Sequence, residues 1–293
     1  LNTSISFDIS YHHAFTQAFN SDGAMMRFSF GKNWQSYSKY GITPVRIEKS
    51  RQTFRELITG IDIKGKKFID IGFGQGLSLI AAAEMNADVL GIDIDSDNVE
   101  ALDNISRVMG FSKPIKTLIV SILDDGFVDQ GRGRYDIVHS WGVLHHTGQM
   151  KKAIDNACAL VAEGGVFICA IYNRHWSSPL WKVIKWSYNR FSETIQKFMI
   201  ALFYPILYMA KYIVTLTNPK KKERGMDFFH DVVDWVGGYP YEYASMQEIR
   251  DYVCDHGFEC VKMRAAQVPT GCNEFVFKRI CGPEKIIAVS KSS

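Results

Sequence analysis

The sequence predicts an α/β protein. Its expected core is a doubly wound, mostly parallel seven-stranded sheet with an antiparallel C-terminal strand pair, joined by an N-terminal extension and a helical lid insertion. Three observations predict this. From Phe68 onward, short apolar runs alternate with helix-like segments, the pattern of a parallel sheet covered on both faces. The first run ends in an acidic residue and a turn of three glycines that opens a helix. Two further apolar runs close the chain as a pair.

The elements follow in order. Lys67–Ile71 reads as the first strand and Gly76–Met85 as its helix, Asp88–Ile92 as the second strand. Ser96–Met109 is a helix with Ser96 as its expected N-cap. Lys116–Val120 and Tyr135–Ser140 are the third and fourth strands; Met150–Val161 is a helix ended by the Gly164-Gly165 pair. Val166–Ile171 is the fifth strand, Ser245–His256 a helix stopped by Gly257, and Phe258–Ala265 with Glu274–Ile280 the closing pair. The core is thus 66–172 with 241–283. Residues 1–65 form an extension or cap, and 173–240 an insertion leaving the carboxyl end of the fifth strand. Open sheets bind ligands beyond that edge, so the insertion is expected to cover the site.

The 293 residues suit one large domain with additions. A net charge of +3 does not point to nucleic acid. Six cysteines without C-x-x-C spacing read as reduced thiols, and Leu1–Ser10 lacks a basic signal-like region, so a cytoplasmic protein is expected.

The chemistry concentrates in Asp70-Ile71-Gly72-Phe73-Gly74-Gln75-Gly76. Gly72 permits the tight turn, Gly74 lets backbone approach a ligand, and Gly76 allows close packing. The free N–H groups of a helix start suit a carboxylate, and Asp70 suits an ammonium group. Asp93, ending the second strand, suits both hydroxyls of a ribose. The glycine spacing differs from the G-x-G-x-x-G of nicotinamide sites, and an acid before the first glycine favours S-adenosyl-L-methionine, with S-adenosyl-L-homocysteine as product.

The turn, together with Asp136-Ile137-Val138-His139-Ser140-Trp141-Gly142-Val143-Leu144-His145-His146, resembles the class I (Rossmann-like) S-adenosylmethionine-dependent methyltransferases. Within that class it is similar to the ubiquinone-biosynthesis O-methyltransferase and benzoquinol methylase-like group. The resemblance implies that Ser121, Ile122 and Leu123 border an adenine with help from Asp124. It also implies that Ile94 lies beside the ribose site and that Ser140 and Trp141 line the methionine side. An acidic residue is common in the family where Ser121 stands here.

The implied activity is methyl transfer (EC 2.1.1), expected on oxygen of a small or carrier-linked metabolite, either a phenol or quinone-like ring or a sugar hydroxyl. A nucleic-acid (RNA) acceptor is the alternative; C- or N-methylation of a small molecule is another. Against nucleic acid, Ser140-Trp141-Gly142-Val143 replaces the Asn/Asp-Pro-Pro-aromatic run of base-amino enzymes. A hydroxyl acceptor needs a base, and His230, its ring expected to be oriented by neighbouring Asp231 or Asp234, is preferred over His146; His145 reads as a buried histidine bonded to backbone. No metal site is expected. The aromatic cluster around Trp34 reads either as the packing of a capping helix or, with Phe30-Gly31-Lys32-Asn33-Trp34 as a loop, as a contact of Trp34 with cofactor or acceptor. Phe198–Thr217 is apolar but interrupted by Pro205 and enclosed by one fold, so it is expected as a lid or interfacial helix. With Lys220-Lys221-Lys222 it makes 198–222 the candidate peripheral contact with the inner face of a membrane. Oligomeric state is not legible.

Overall fold

A computed structural model describes residues 27–221 and 226–280. The rest of the extension (1–26), Lys222 and the end of the expected core (281–283) lie outside the described residues. Five parallel strands form the sheet's backbone: β1 (Lys67–Ile71), β2 (Asp88–Asp93), β3 (Lys116–Ile119), β4 (Tyr135–Trp141) and β5 (Val161–Tyr172). With β6 (Phe258–Arg264) and β7 (Cys272–Arg279) the order is β3-β2-β1-β4-β5-β7-β6, and β7 runs antiparallel to both β5 and β6. The order reverses between β1 and β4, which creates the crevice where such sheets bind ligands. In the centre, Phe167–Ile171 is wholly buried, as expected of a strand packed on both faces.

The helices of the core are α3 (Leu77–Glu84), α4 (Asp97–Met109), α5 (Asp125–Gly131), α6 (Met150–Leu160) and α10 (Met246–Cys254). Ser245 and Glu248 start α10 with a reciprocal capping box, satisfying two otherwise orphaned N–H groups. Ser96 does not cap α4 through its side chain. Asp95 does instead, accepting the Asp97 N–H at 3.1 Å. Nor does Gly164-Gly165 end α6. The helix stops at Leu160, and the glycines form an irregularity inside β5 between the Tyr135↔Val161 and Ile137↔Val166 pairings. Buried Arg279 fixes this junction by donating to the carbonyls of Cys158 and Val161, just where the helix gives way to the strand.

Two helices from the extension, α1 (Phe30–Tyr40) and α2 (Pro44–Leu57), precede the sheet. Thr43 accepts the Arg46 N–H, and Pro44 occupies the first turn, where its missing N–H costs nothing. Phe30–Trp34, open between loop and helix in the sequence, is the first turn of α1. That helix meets α4 through the Gly31 N–H, which donates to Asp95 at 2.9 Å. The insertion folds as α7 (Ser178–Arg190), α8 (Glu193–Thr215) and α9 (Phe228–Gly237). These share a small core of their own, where Tyr188, Ile200, Phe228, Val232 and Val236 pack with Phe28 from the extension. Extension and insertion therefore close over the same edge of the sheet.

Candidate active site

At the carboxyl ends of β1, β2 and β4 lies a cavity of about 680 Å³, large enough for two small ligands by the usual size of such sites. Its floor is the glycine turn. Gly74 has φ +54°, and a Cβ there would stand 2.9 Å from the Trp34 Nε1, so the indole lies directly over the turn. Gly76 has φ +79° and faces away; a Cβ would meet Leu102 of α4 at 2.2 Å. Its role is helix packing, and it does not line the cavity.

Asp70 and His139 occupy paired positions on β1 and β4, and both face the cavity. The His139 Nδ1–H donates to the Asp70 carboxylate at 2.7 Å, while the imidazole stacks against Trp141 at 5.9 Å and 6°. Sequence reasoning passed over His139. The available signal was its place on the strand beside Asp70, which only the β1–β4 register reveals.

Asp93 is 7% exposed. Its carboxylate accepts the N–H of Gly74 at 3.1 Å and of Asp95 at 3.0 Å, which ties the second strand to the glycine turn. Burial raises its pKa; the N–H donors and the Asn98 side chain oppose that shift. Ile94, Ser121, Ile122 and Leu123 line the adjoining end of the cavity, and the Ser121 Oγ accepts the Leu123 N–H. Asp124 lies outside it, capping α5 by accepting the Phe127 N–H at 2.8 Å. Ser140 is also outside, fully buried and donating to the Ile71 carbonyl at 3.3 Å. Alternation along β4 explains this: His139 and Ser140 point to opposite faces.

The opposite end is walled by Phe30, His146, Tyr172, Lys211, Asp231, Asp234 and Trp235. His146 is 8% exposed, with Nδ1 at 2.6 Å from the Pro240 carbonyl. A carbonyl only accepts, so Nδ1 carries the proton and Nε2 keeps its lone pair. Burial, reinforced by the Lys185 ammonium, lowers the His146 pKa to about 3. Buried Lys185 itself donates to the Trp235 carbonyl and lies over the Tyr241 ring at 4.9 Å. Its own pKa is lowered to about 8, chiefly by burial. His145 accepts the Tyr172 N–H and stays in the core, as its sequence context indicated.

His230 is not where the sequence reading placed it. It is fully buried and absent from the cavity wall. Its Nδ1–H donates to Asp227, the N-cap of α9, and its Nε2 accepts from Ser36 of α1 at 3.1 Å. Neither Asp231 nor Asp234 orients it. Asp231, the other candidate on this helix, faces the cavity and pairs with Lys211 at 2.7 Å. Helical periodicity accounts for the error, because residues adjacent in sequence lie about 100° apart around the axis. Among the described residues, no three His, Cys, Asp or Glu side chains gather as a metal site.

A doubly wound sheet with an acid-and-glycine turn after β1 and an acid ending β2 defines a nucleoside-binding enzyme core of the methyltransferase type. A family model described as a methyltransferase domain matches residues 46–203, more than half of the chain, and the chain belongs to that family. The matched residues run from α2 past β5 and include the glycine turn and Asp93, so this part of the chain is a methyltransferase domain. Curated relatives include the ubiquinone biosynthesis O-methyltransferase of Bordetella avium, 27% identical over 145 residues, 50% of this chain and 56% of that protein. The enzyme of that name from Coxiella burnetii is 26% identical over 143 residues, covering 49% and 56%. The chain thus spans about half the length of the curated relatives it matches. An O-methyltransferase family protein from Burkholderia thailandensis shares the fold, with TM-score 0.54 at 12% identity over 86% of this chain and 60% of that one.

The cavity fits the methyl donor. Two buried side-chain oxygens on its wall, Gln75 Oε1 and Asn98 Oδ1, have no hydrogen-bond donor among the described residues. Buried acceptors of this kind match a ligand rich in hydroxyl and ammonium donors.

Proposed function

We propose that this methyltransferase acts on oxygen of a small or carrier-linked metabolite, a phenol or quinone-like ring or a sugar hydroxyl, with His146 as the base. One observation carries the reading: a single cavity runs from the glycine turn to His146, whose Nδ1 is fixed by Pro240. When bound, S-adenosylmethionine supplies an electrophilic methyl group on a sulfonium.

The chain's residues divide between the two ligands. Asp70, oriented by His139, holds the ammonium group; Asp93 receives the ribose hydroxyls; Ile94 and Ser121 to Leu123 border the base; Trp34 and Trp141 enclose the donor. Phe30, Tyr172 and Trp235 exclude water around the acceptor, which strengthens the polar contacts made there. His146 holds the acceptor hydroxyl at Nε2. A ring with so low a pKa does not remove the proton beforehand; it takes it as the oxygen becomes acidic during bond formation. Asp231 and Asp234 supply hydrogen-bond acceptors for further hydroxyls. The chemistry is therefore mostly alignment in a closed site.

The test is transfer of labelled methyl from S-adenosylmethionine to a panel of catechols, hydroxybenzoates and sugar-linked carriers. Label that becomes volatile after acid cleavage of methyl ethers supports the reading. Label retained on nitrogen or carbon, or incorporated only into RNA, contradicts it.

A further inference from the structure

The outer face of the α7–α8 hairpin is apolar and has no partner among the described residues. Helix α8 has 23 residues, and its most apolar 18-residue stretch is only 6% buried. Ile195, Phe198, Leu202, Ile206, Met209 and Ile213 follow one another at steps of three and four, so they share one face. All six are exposed, Phe198 at 68% and Ile213 at 65%. On α7, Leu180, Val183 and Trp186 add exposed side chains at steps of three, and Trp176 before it is 84% exposed. A surface of this extent is rare on a protein with no partner.

Charge identifies the partner. Residues 173–221 hold eight of the chain's 34 lysines and arginines but only one of its 31 acids, Glu193. Exposed Lys182 and Arg190 belong to α7, and Lys220 follows α8, so cations flank the apolar stripe at both ends. The acids of the protein lie elsewhere. We infer that this hairpin docks in the plane of a membrane surface bearing anionic lipid. Apolar side chains enter the acyl boundary, tryptophans sit at the headgroup level, and the lysines and arginines meet phosphate.

Two alternatives fit less well. A transmembrane course is opposed by the inner side of α8, where Tyr204 packs on Phe228 and Lys211 binds Asp231. Both ends of the helix also return to the same fold. A second copy would have to set the same cationic rim against itself, since a two-fold interface is self-complementary. The inner side of α8 supplies Lys211 and Thr215 to the cavity, so docking face and active site share one helix.

The test uses the full chain with phosphatidylcholine vesicles prepared with and without phosphatidylglycerol. Co-sedimentation with the anionic vesicles, weakened by salt and small with neutral ones, is expected. Phe198→Glu combined with Leu202→Glu should cut partitioning about tenfold or more while leaving S-adenosylhomocysteine affinity unchanged. Arg190→Glu combined with Lys220→Glu leaves the apolar stripe intact and should weaken binding to anionic vesicles alone. No sedimentation, equal binding to neutral vesicles, or binding unaffected by both double variants overturns the proposal. So does a dimer, seen by light scattering, that the Phe198/Leu202 variant dissolves, because a second copy would then own the face.

Discussion

The Asp70 carboxylate lies 2.7 Å from the Nδ1 of His139, across neighbouring parallel strands at the point where the strand order reverses. The histidine is itself held between Trp141 and Phe68, whose rings stack on its two sides at 5.9 and 5.8 Å. The acid proposed to hold the donor's ammonium group is thus positioned by a buried, packed neighbour before any ligand arrives. Pre-organisation of this kind removes an ordering cost from binding.

His139→Ala should therefore weaken S-adenosylhomocysteine binding about tenfold, near the value of one charge-assisted hydrogen bond. Asp70→Ala should weaken it at least as much. Isothermal titration measures both, and wild-type affinity in either variant would remove that residue from the donor site.

Stability should fall as pH falls below the ordinary histidine range. His145 and His146 are both buried, and burial lowers both pKa values from 6.5. In the unfolded chain they titrate normally, so between pH 6.5 and about 3 the unfolded state binds protons that the folded state refuses. The stabilising preference is complete above pH 6.5 and is lost progressively below it. His146 contributes a slope of about 1.4 kcal/mol per pH unit inside that window, and His145 adds to it in the same direction. Urea midpoints should drop between about pH 6.5 and 5, before most carboxylates protonate, and His146→Gln should flatten the decline. An unchanged slope would show that His146 is protonated in the folded state.

His230 should matter for stability and not for chemistry. It joins the N-cap of α9 to Ser36 on α1, and Asn33 donates to its carbonyl at 3.2 Å. His230→Asn should cost about 1–3 kcal/mol, the penalty for a disrupted buried hydrogen-bond pair. Denaturant unfolding gives the cost, and kcat in the surviving folded enzyme should stay within about twofold of wild type, as expected for a group that makes no transition-state contact.

What the sequence revealed follows from the range of each signal. The succession of strands along the chain and the glycine turn are local: the apolar runs, the acid before the glycines and the acid ending β2 are readable because each lies within a few residues of its structural cause. The limits appear where a side chain's direction depends on packing. Ser140 and His139 are neighbours, yet only the register of β4 against β1 decides which reaches the cavity. His230 and Asp231 likewise differ by one residue on α9, and the helix turns the first into the core and the second toward the cavity. The α1 helix was not separable from a loop because its stabilising partner, Asp95, is 64 residues away. Residues 173–240 were legible as an apolar, helical stretch after β5; their separate core with Phe28 was not.

The assignment of His146 as the base is the central claim, and the most direct test is turnover of His146→Ala measured beside its S-adenosylhomocysteine affinity. A rate loss on the order of a hundredfold or more is expected with donor affinity kept within about twofold, because the proposed contact of the ring is with the acceptor and not the donor. Wild-type turnover in His146→Ala, above all if His230→Asn were inactive while folded, would contradict it.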